Sequence, residues 1–358
     1  MKKNTKKLSK IMVSVLTFAI ILTGCGNSSN TDKSEDEKKY ETLNVAYFPT
    51  SFKSSLSTIA NEQGFFKEEG LDVNLISLQN SSDTIVALEE GKIDVNPSGI
   101  TNVIQAIEDG SPIKIIGGSA QAGGIIITLP ENAEKYKDLA NWKGATWATG
   151  RSYTGDFVTR HYLKELGIDS NKDVNSLDLG DDLSIIQAVA KGEADVGYIT
   201  ANGTGTAEEY GVELIIDVDD LENAYPCCRI STTEDAIQNK RDSLVAYMRA
   251  VIRSYDFILS NKEETIEIYK DLTDQDEDYV KEVMYGEFAS AYVPDPARKK
   301  VLNFAEYLKE AEAIESTDGI DESIDVTIFK EALDEIIKEY PDNENYQNLK
   351  KSYEEYDQ

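Results

Sequence analysis

Residues 83–95 read DTIVALEEGKIDV, and residues 184–196, offset by 101 positions, read SIIQAVAKGEADV. Gly91 aligns with Gly192, Asp94 with Asp195 and Val95 with Val196. In both copies apolar residues at helical spacing run into a glycine that can close a helix in the left-handed conformation. A short strand then begins at the Asp-Val pair. A second echo, at an offset of 97, pairs Gly70-Leu71-Asp72 with Gly167-Ile168-Asp169, each just after a predicted helix.

Working outward, each half reads as strand, small-residue loop, helix, strand, helix, strand. The first half has strands at 43–47, 73–78 and 93–96, with a loop at 49–55 and helices ending near 69 and 90. The second has strands at 145–148, 176–179 and 194–199, a loop at 149–155 and helices ending near 166 and 191. Strands alternating with helices predict parallel sheets covered on both faces, hence two similar α/β lobes. After residue 233 the pattern is helical, as in 243–259, 301–313 and 327–339, and these helices are expected to return to the first lobe. The boundaries read as 41–128 plus 233–340 for lobe 1 and 129–232 for lobe 2, with a frayed polar tail over 341–358.

The beginning of the chain fixes an expected location. Lys2, Lys3, Lys6, Lys7 and Lys10 precede the twelve-residue apolar stretch 11–22. That run is too short for a membrane span, which takes about 20 residues, but fits the core of a secretory signal. Leu22-Thr23-Gly24-Cys25 resembles the lipobox of bacterial lipoproteins. The resemblance implies a signal peptide over 1–24, lipidation of Cys25 and a location on the extracytoplasmic face of the membrane. Residues 26–39 are polar and form a tether to about residue 40. Removing the five leader lysines takes the formal charge from −30 to −35, with 66 acidic residues in all. Such a chain is a poor partner for nucleic acid, whose phosphates require lysine and arginine.

Three stretches carry a family resemblance: residues 61–73 (NEQGFFKEEGLDV), 91–95 (GKIDV) and 139–145 (LANWKGA). They resemble the nitrate, taurine and sulfonate (SsuA-, NMT1- and THI5-like) solute-binding proteins of ABC importers, a family that includes receptors for thiamine-pyrimidine precursors. The resemblance implies an α/β, two-lobed, periplasmic-binding-protein-like (type II) clamp with two crossover strands and C-terminal helices packed on lobe 1. It further implies that the clamp closes on a small-molecule solute and presents the closed form to an ABC permease; a monomer without cofactor or metal is expected.

Ligands of open α/β sheets sit beyond the carboxyl ends of strands, where loops enter helices. Four such loops are legible: 48–52, 97–101, 149–154 and 198–202. They supply the candidates Phe48, Thr50, Ser51, Phe52, Ser98, Thr101, Arg151, Tyr153, Thr154, Tyr198 and Asn202, to which Arg229 is added as a guanidinium near the cleft. An anion such as a sulfonate would want Arg151 or Arg229. A flat heterocycle would want aromatic walls such as Tyr47, Phe48, Phe52, Trp147, Tyr153, Tyr198 and Tyr225. The first loop, Thr-Ser-Phe-Lys-Ser-Ser, departs from the asparagine or histidine usual in pyrimidine-binding relatives. Closure is expected about crossover strands near 125–129 and 229–233.

Cys227 and Cys228 are adjacent, so their Cα atoms lie about 3.8 Å apart, below the ~4.4 Å lower edge for ordinary disulfides. Two readings stay open: packed free thiols, or a functional vicinal pair touching ligand or metal. His161, the sole histidine, sits mid-helix and reads as a solvated or half-buried helix residue. Residues 274–285 begin like a calcium loop, but Tyr279 stands where glycine is needed and Tyr285 where glutamate is. The expectation is a binding protein without catalytic residues. Two alternatives are a pyrimidine synthase on the same fold and a surface adhesin.

Overall fold

The computed structural model describes residues 40–48, 51–78 and 81–358. The lipobox, Cys25 and Thr50 lie outside the described residues.

In the first lobe β1 (Leu43–Tyr47) pairs in parallel with β2 (Val73–Ser77). A second sheet has the order β3 (Asn96–Gly99), β10 (Cys228–Thr233), β4 (Ile113–Ala120), with β10 antiparallel to both neighbours. A parallel bridge between Val45 and Val95 links the two. The second lobe holds five strands in the order β7 (Asn175–Asp178), β6 (Thr146–Thr149), β8 (Val196–Thr200), β5 (Gly124–Thr128), β9 (Glu213–Asp217). β6 runs parallel to β7 and β8, whereas β5 is antiparallel to β8 and β9. The sheets are therefore mixed rather than parallel. β5 and β10 enter each lobe from the other one, and so meet the local strands head to tail.

The repeated motif does the same work twice. The Asp94 carboxylate accepts from the Asn44 N–H at 2.8 Å, and that of Asp195 accepts from the Thr146 N–H at 2.8 Å. Each aspartate thereby satisfies the first strand of its own repeat. Gly91 and Gly192 close their helices at φ of 67° and 71°, in the region where glycine carries no steric penalty.

The crossings differ from expectation. β5 pairs wholly within the second lobe and β10 wholly within the first, so neither strand is free to bend. The chain passes between lobes at Gln121–Gly123 and again near Tyr225–Cys227, and the Ala122 N–H donates to the Tyr225 carbonyl at 3.0 Å. Ala122, Gly123 and Ala224 all have positive φ there (56°, 82° and 51°). A strap over residues 291–297 braces the first crossing, with Gln121 and Ala291 exchanging backbone hydrogen bonds at 2.8 and 3.1 Å.

The C-terminal helices pack on the first lobe, where Leu43, Val45 and Leu56 share one apolar cluster with Tyr247, Phe329 and Leu333. The segment after Pro341 is not a frayed tail. It forms the helix Glu344–Tyr356, with the Asn343 side chain accepting from the Tyr346 N–H at its start. Tyr346, Leu349 and Tyr353 recur at helical spacing and are buried in that same cluster, so the tyrosines act as core residues rather than polar ones. A different cluster crosses between lobes. The helix Arg298–Glu310 places Val301, Phe304 and Leu308 against Phe157 and Val158 of the helix Thr154–Glu165, as well as against Ile100 and Ile104 of the first lobe.

Candidate ligand cleft

A cavity of about 60 Å³ lies between the lobes, at the carboxyl ends of their strands. The first lobe contributes Ser51, Phe52 and Lys53, and the second contributes Tyr198, Thr200 and Asn202. Gly123 and Cys227 come from the crossings, Ala120 and Cys228 from the strands beside them, and Ser290 and Tyr292 from the segment entering the strap. The space holds a few waters but not a drug-sized ligand, whose pockets span about 300–1,000 Å³. A solute larger than an inorganic ion therefore requires the lobes to part.

Local chemistry places these groups. Ser51 starts a short 3-10 turn by accepting from the Lys53 N–H at 3.3 Å, which aims Lys53 into the cavity. Phe52 is held from behind by Tyr269, with ring centroids 4.8 Å apart. Tyr198, on β8, has its ring 5.6 Å from that of Tyr153. Burial pushes the Tyr198 hydroxyl well above its ordinary value, so it stays a neutral donor. Asp182 accepts from the Thr200 hydroxyl at 2.5 Å and from its N–H at 3.2 Å. Burial raises its carboxyl, opposed by those bonds and by the Lys53 ammonium.

The crossing carries the thiol pair. Half-buried Cys227 and buried Cys228 are both free, with their sulfurs 3.5 Å apart. The Cys227 carbonyl accepts from the Ile100 N–H at 3.1 Å and from the Thr154 hydroxyl at 3.2 Å. One carbonyl thus binds both lobes.

Of the residues singled out in the sequence, Ser51, Phe52, Tyr198 and Asn202 meet at this cavity together with both cysteines. Tyr153 and Thr154 stand one layer behind, against Tyr198 and Cys227. Phe48 is buried. The others go elsewhere. Ser98 is buried within the sheet and accepts from the Asn96 amide at 2.8 Å. Thr101 is also buried, and Arg151 is exposed beside Asp178, 3.6 Å away. Arg229 does not reach the cleft. Its guanidinium is fully buried and donates to the carbonyls of Pro296 (2.9 Å), Ala120 (3.2 Å) and Cys228 (2.8 Å). β10 points this side chain inward, and the strap covers it.

Lys53, Thr200, Ser290 and Tyr292 were missed. Lys53 is legible as the lone cation of the first loop, and Thr200 as the end of a strand. Nothing local marks Ser290 or Tyr292, which reach the cavity because the strap pairs with Gln121. Among the described residues no cluster of three or more histidine, cysteine or acidic side chains could hold a metal, and no helix is long and apolar enough to cross a membrane. His161 lies away from the cavity, stacked on Tyr307 with centroids 4.0 Å apart and bonded to Glu310 at 2.8 Å.

A model described as NMT1/THI5 like matches residues 53–265. The formylaminopyrimidine-binding protein of Halalkalibacterium halodurans is 24% identical over 272 residues, covering 74% of this chain and 79% of that protein. A 4-amino-5-hydroxymethyl-2-methylpyrimidine phosphate synthase of Aspergillus parasiticus is 23% identical over 240 residues, covering 60% and 65%. Among solved structures, the periplasmic aliphatic sulphonate binding protein SsuA from Escherichia coli superposes with a TM-score of 0.68 at 16% identity, covering 79% of this chain and 92% of that one. Such a likeness bears on the fold, and it matches the periplasmic-binding-protein clamp.

Proposed function

Because the chain belongs to the NMT1/THI5-like family, we propose that it is an extracytoplasmic solute receptor, held to the membrane by a lipid on Cys25, that delivers a small nutrient to an ABC permease. The observation that carries this reading is the cavity between the lobes, lined from both of them and floored by the segments that join them. Such a site gains contacts from both walls only when closed, so solute favours the closed form by its differential affinity for it.

Phe52, Tyr198 and Tyr292 offer aromatic walls, and Lys53 offers one ammonium. That combination fits a flat heterocycle bearing a polar or anionic substituent, such as a thiamine-pyrimidine precursor. A sulfonate is the alternative cargo, held by Lys53 alone, since Arg229 is engaged by backbone carbonyls.

The pyrimidine synthases among the relatives make catalysis the second reading. The only histidine stands outside the cavity in contact with Tyr307 and Glu310, which favours binding over that chemistry.

The test is a thermal-shift screen of the purified protein against aminopyrimidines, sulfonates, nitrate and amino acids, followed by calorimetry. A ligand at 100 times its Kd adds about 2.7 kcal/mol. One class raising the Tm, with the effect weakened by Lys53→Gln, supports the receptor. Turnover of a vitamin B6 phosphate with iron would move the protein to the enzymes.

A further inference from the structure

We propose that Cys227 is a thiol-modification site within the cleft, where a low-molecular-weight disulfide attaches and blocks the cavity, with Cys228 as the resolving thiol. The blocking rests on the reading of the cleft as a solute site; the thiol chemistry does not.

The pair is placed for this and not for packing alone. Both residues line the cavity, Cys227 half-buried and Cys228 buried against the apolar core of the first lobe, with the two sulfurs 3.5 Å apart. A reagent entering the cleft therefore meets Cys227 first. Cys227 occupies the second crossing, and its carbonyl is bonded from both lobes. A group added to its sulfur thus lands between the walls that must approach each other.

The charged or titratable groups acting most strongly on Cys227 come from several elements. Lys53 comes from the first loop, Cys228 and Arg229 from β10, Tyr198 from β8, Tyr225 from the crossing and Tyr292 from the strap. The tyrosines are neutral, being pushed well up by burial. The hydrogen bond with Cys228, with the Lys53 and Arg229 charges behind it, lowers the Cys227 thiol to about 7 against the opposing effect of burial. Cys228 moves the other way for the same reason and stays a thiol. Thiolate is the attacking species in disulfide exchange, so the reachable sulfur is also the nucleophilic one.

In the first step the Cys227 thiolate attacks one sulfur of R–S–S–R. The Cys227–S–S–R bond forms, the original S–S bond breaks, and RS⁻ leaves to take a proton from water. In the second, Cys228 loses its proton to solvent and attacks the Cys227 sulfur, expelling the other RS⁻. Two protein thiols are oxidised by two electrons and one external disulfide is reduced to two thiols. Adjacent Cα atoms lie about 3.8 Å apart, below the ~4.4 Å that ordinary disulfides need, so the second step is slow and the mixed disulfide accumulates.

The test treats the full chain with glutathione disulfide across pH 5–9 and places the adduct by fragment-ion mass spectrometry across the Cys227–Cys228 peptide bond. We expect one glutathionyl unit on Cys227 itself, with a rate rising about tenfold per pH unit at first and levelling below the ordinary thiol value. Cys228→Ala, lacking the sulfur hydrogen bond, should retain the adduct and move the midpoint towards the ordinary ~8.5. Adduct on Cys228, or a wild-type midpoint already at the ordinary value, overturns the proposal, as does an unmoved midpoint in the variant. Mapping on the wild-type protein decides the site even if the variant misfolds. If glutathionylated protein loses its solute-induced thermal shift, the blocking role holds. If it keeps a full shift, the blocking role fails while the modification site stands.

Discussion

A Cβ atom on Gly124 would lie 2.3 Å from the hydroxyl of Tyr198, and 2.5 Å from that of Tyr225. The first residue of β5 must therefore be glycine for the cleft tyrosine to occupy its place. Both rings are buried and cannot swing aside freely. Gly124→Ala is expected to cost about 1–3 kcal/mol through overpacking, and to weaken solute binding because Tyr198 is displaced. Denaturant unfolding and near-ultraviolet circular dichroism check this, and an unchanged aromatic spectrum would sink it.

The paired aspartates predict a loss in both lobes, larger in the first, where Asp94 also pairs with Lys240. Asp94→Ala and Asp195→Ala each leave a strand N–H without its carboxylate, a loss of about 1–3 kcal/mol. Asp195→Asn should recover most of it, since the amide oxygen still accepts, and Asp94→Asn less, because the other Asp94 oxygen also pairs with the Lys240 ammonium at 2.8 Å. Unfolding curves for the four variants decide the matter; alanine variants as stable as wild type would contradict the shared role.

The last helix is expected to matter to the whole first lobe. Leu349→Ala should destabilise by about 2–5 kcal/mol, as for other buried leucines, whereas Glu354→Ala on its exposed face should fall within about 0.5 kcal/mol. Equal, small effects would return this segment to the status of a dispensable tail.

Asp357, buried beside Asp295, predicts a pH dependence. Burial and that neighbour push its carboxyl up from 3.8 to about 8. The folded state then holds the proton more tightly than the unfolded one. This contribution is full below about pH 4 and is lost as pH rises through about 8. Asp357→Asn should flatten the decline, and exceed wild type in Tm at pH 8.5 by about 2–4 °C per kcal/mol recovered. A steeper decline in the variant would reverse the assignment. Calorimetry at pH 5, 7 and 8.5 is sufficient.

The two-lobed plan was legible because residues 83–95 and 184–196 carry a complete local instruction: helical spacing, a glycine stop and an aspartate whose partner is its own repeat's first strand. The crossings were harder. Nothing in the residues of β5 or β10 marks where the chain turns, and only their pairing shows that the turning points are Ala122 and Ala224, alanines in a conformation that nothing in their side chains announces. A general rule about strand ends named Ser51, Phe52, Tyr198 and Asn202, which line the cavity between the lobes. Arg229 was misplaced by its charge: a guanidinium reads as a ligand group, but here its Nε and Nη1 donate to three backbone carbonyls inside. Ser290 and Tyr292 come from a distant strap, so no local pattern could have placed them.

The apolar contact that runs from Ile104 through Phe304 to Phe157 has a thermodynamic consequence. Neither lobe owns its whole interior, so melting one strips the other of a wall. Heating should therefore give one calorimetric peak whose van't Hoff and measured enthalpies agree, and the second lobe produced by itself should not hold a native fold. A clamp proposed to move as two bodies should then unfold as one.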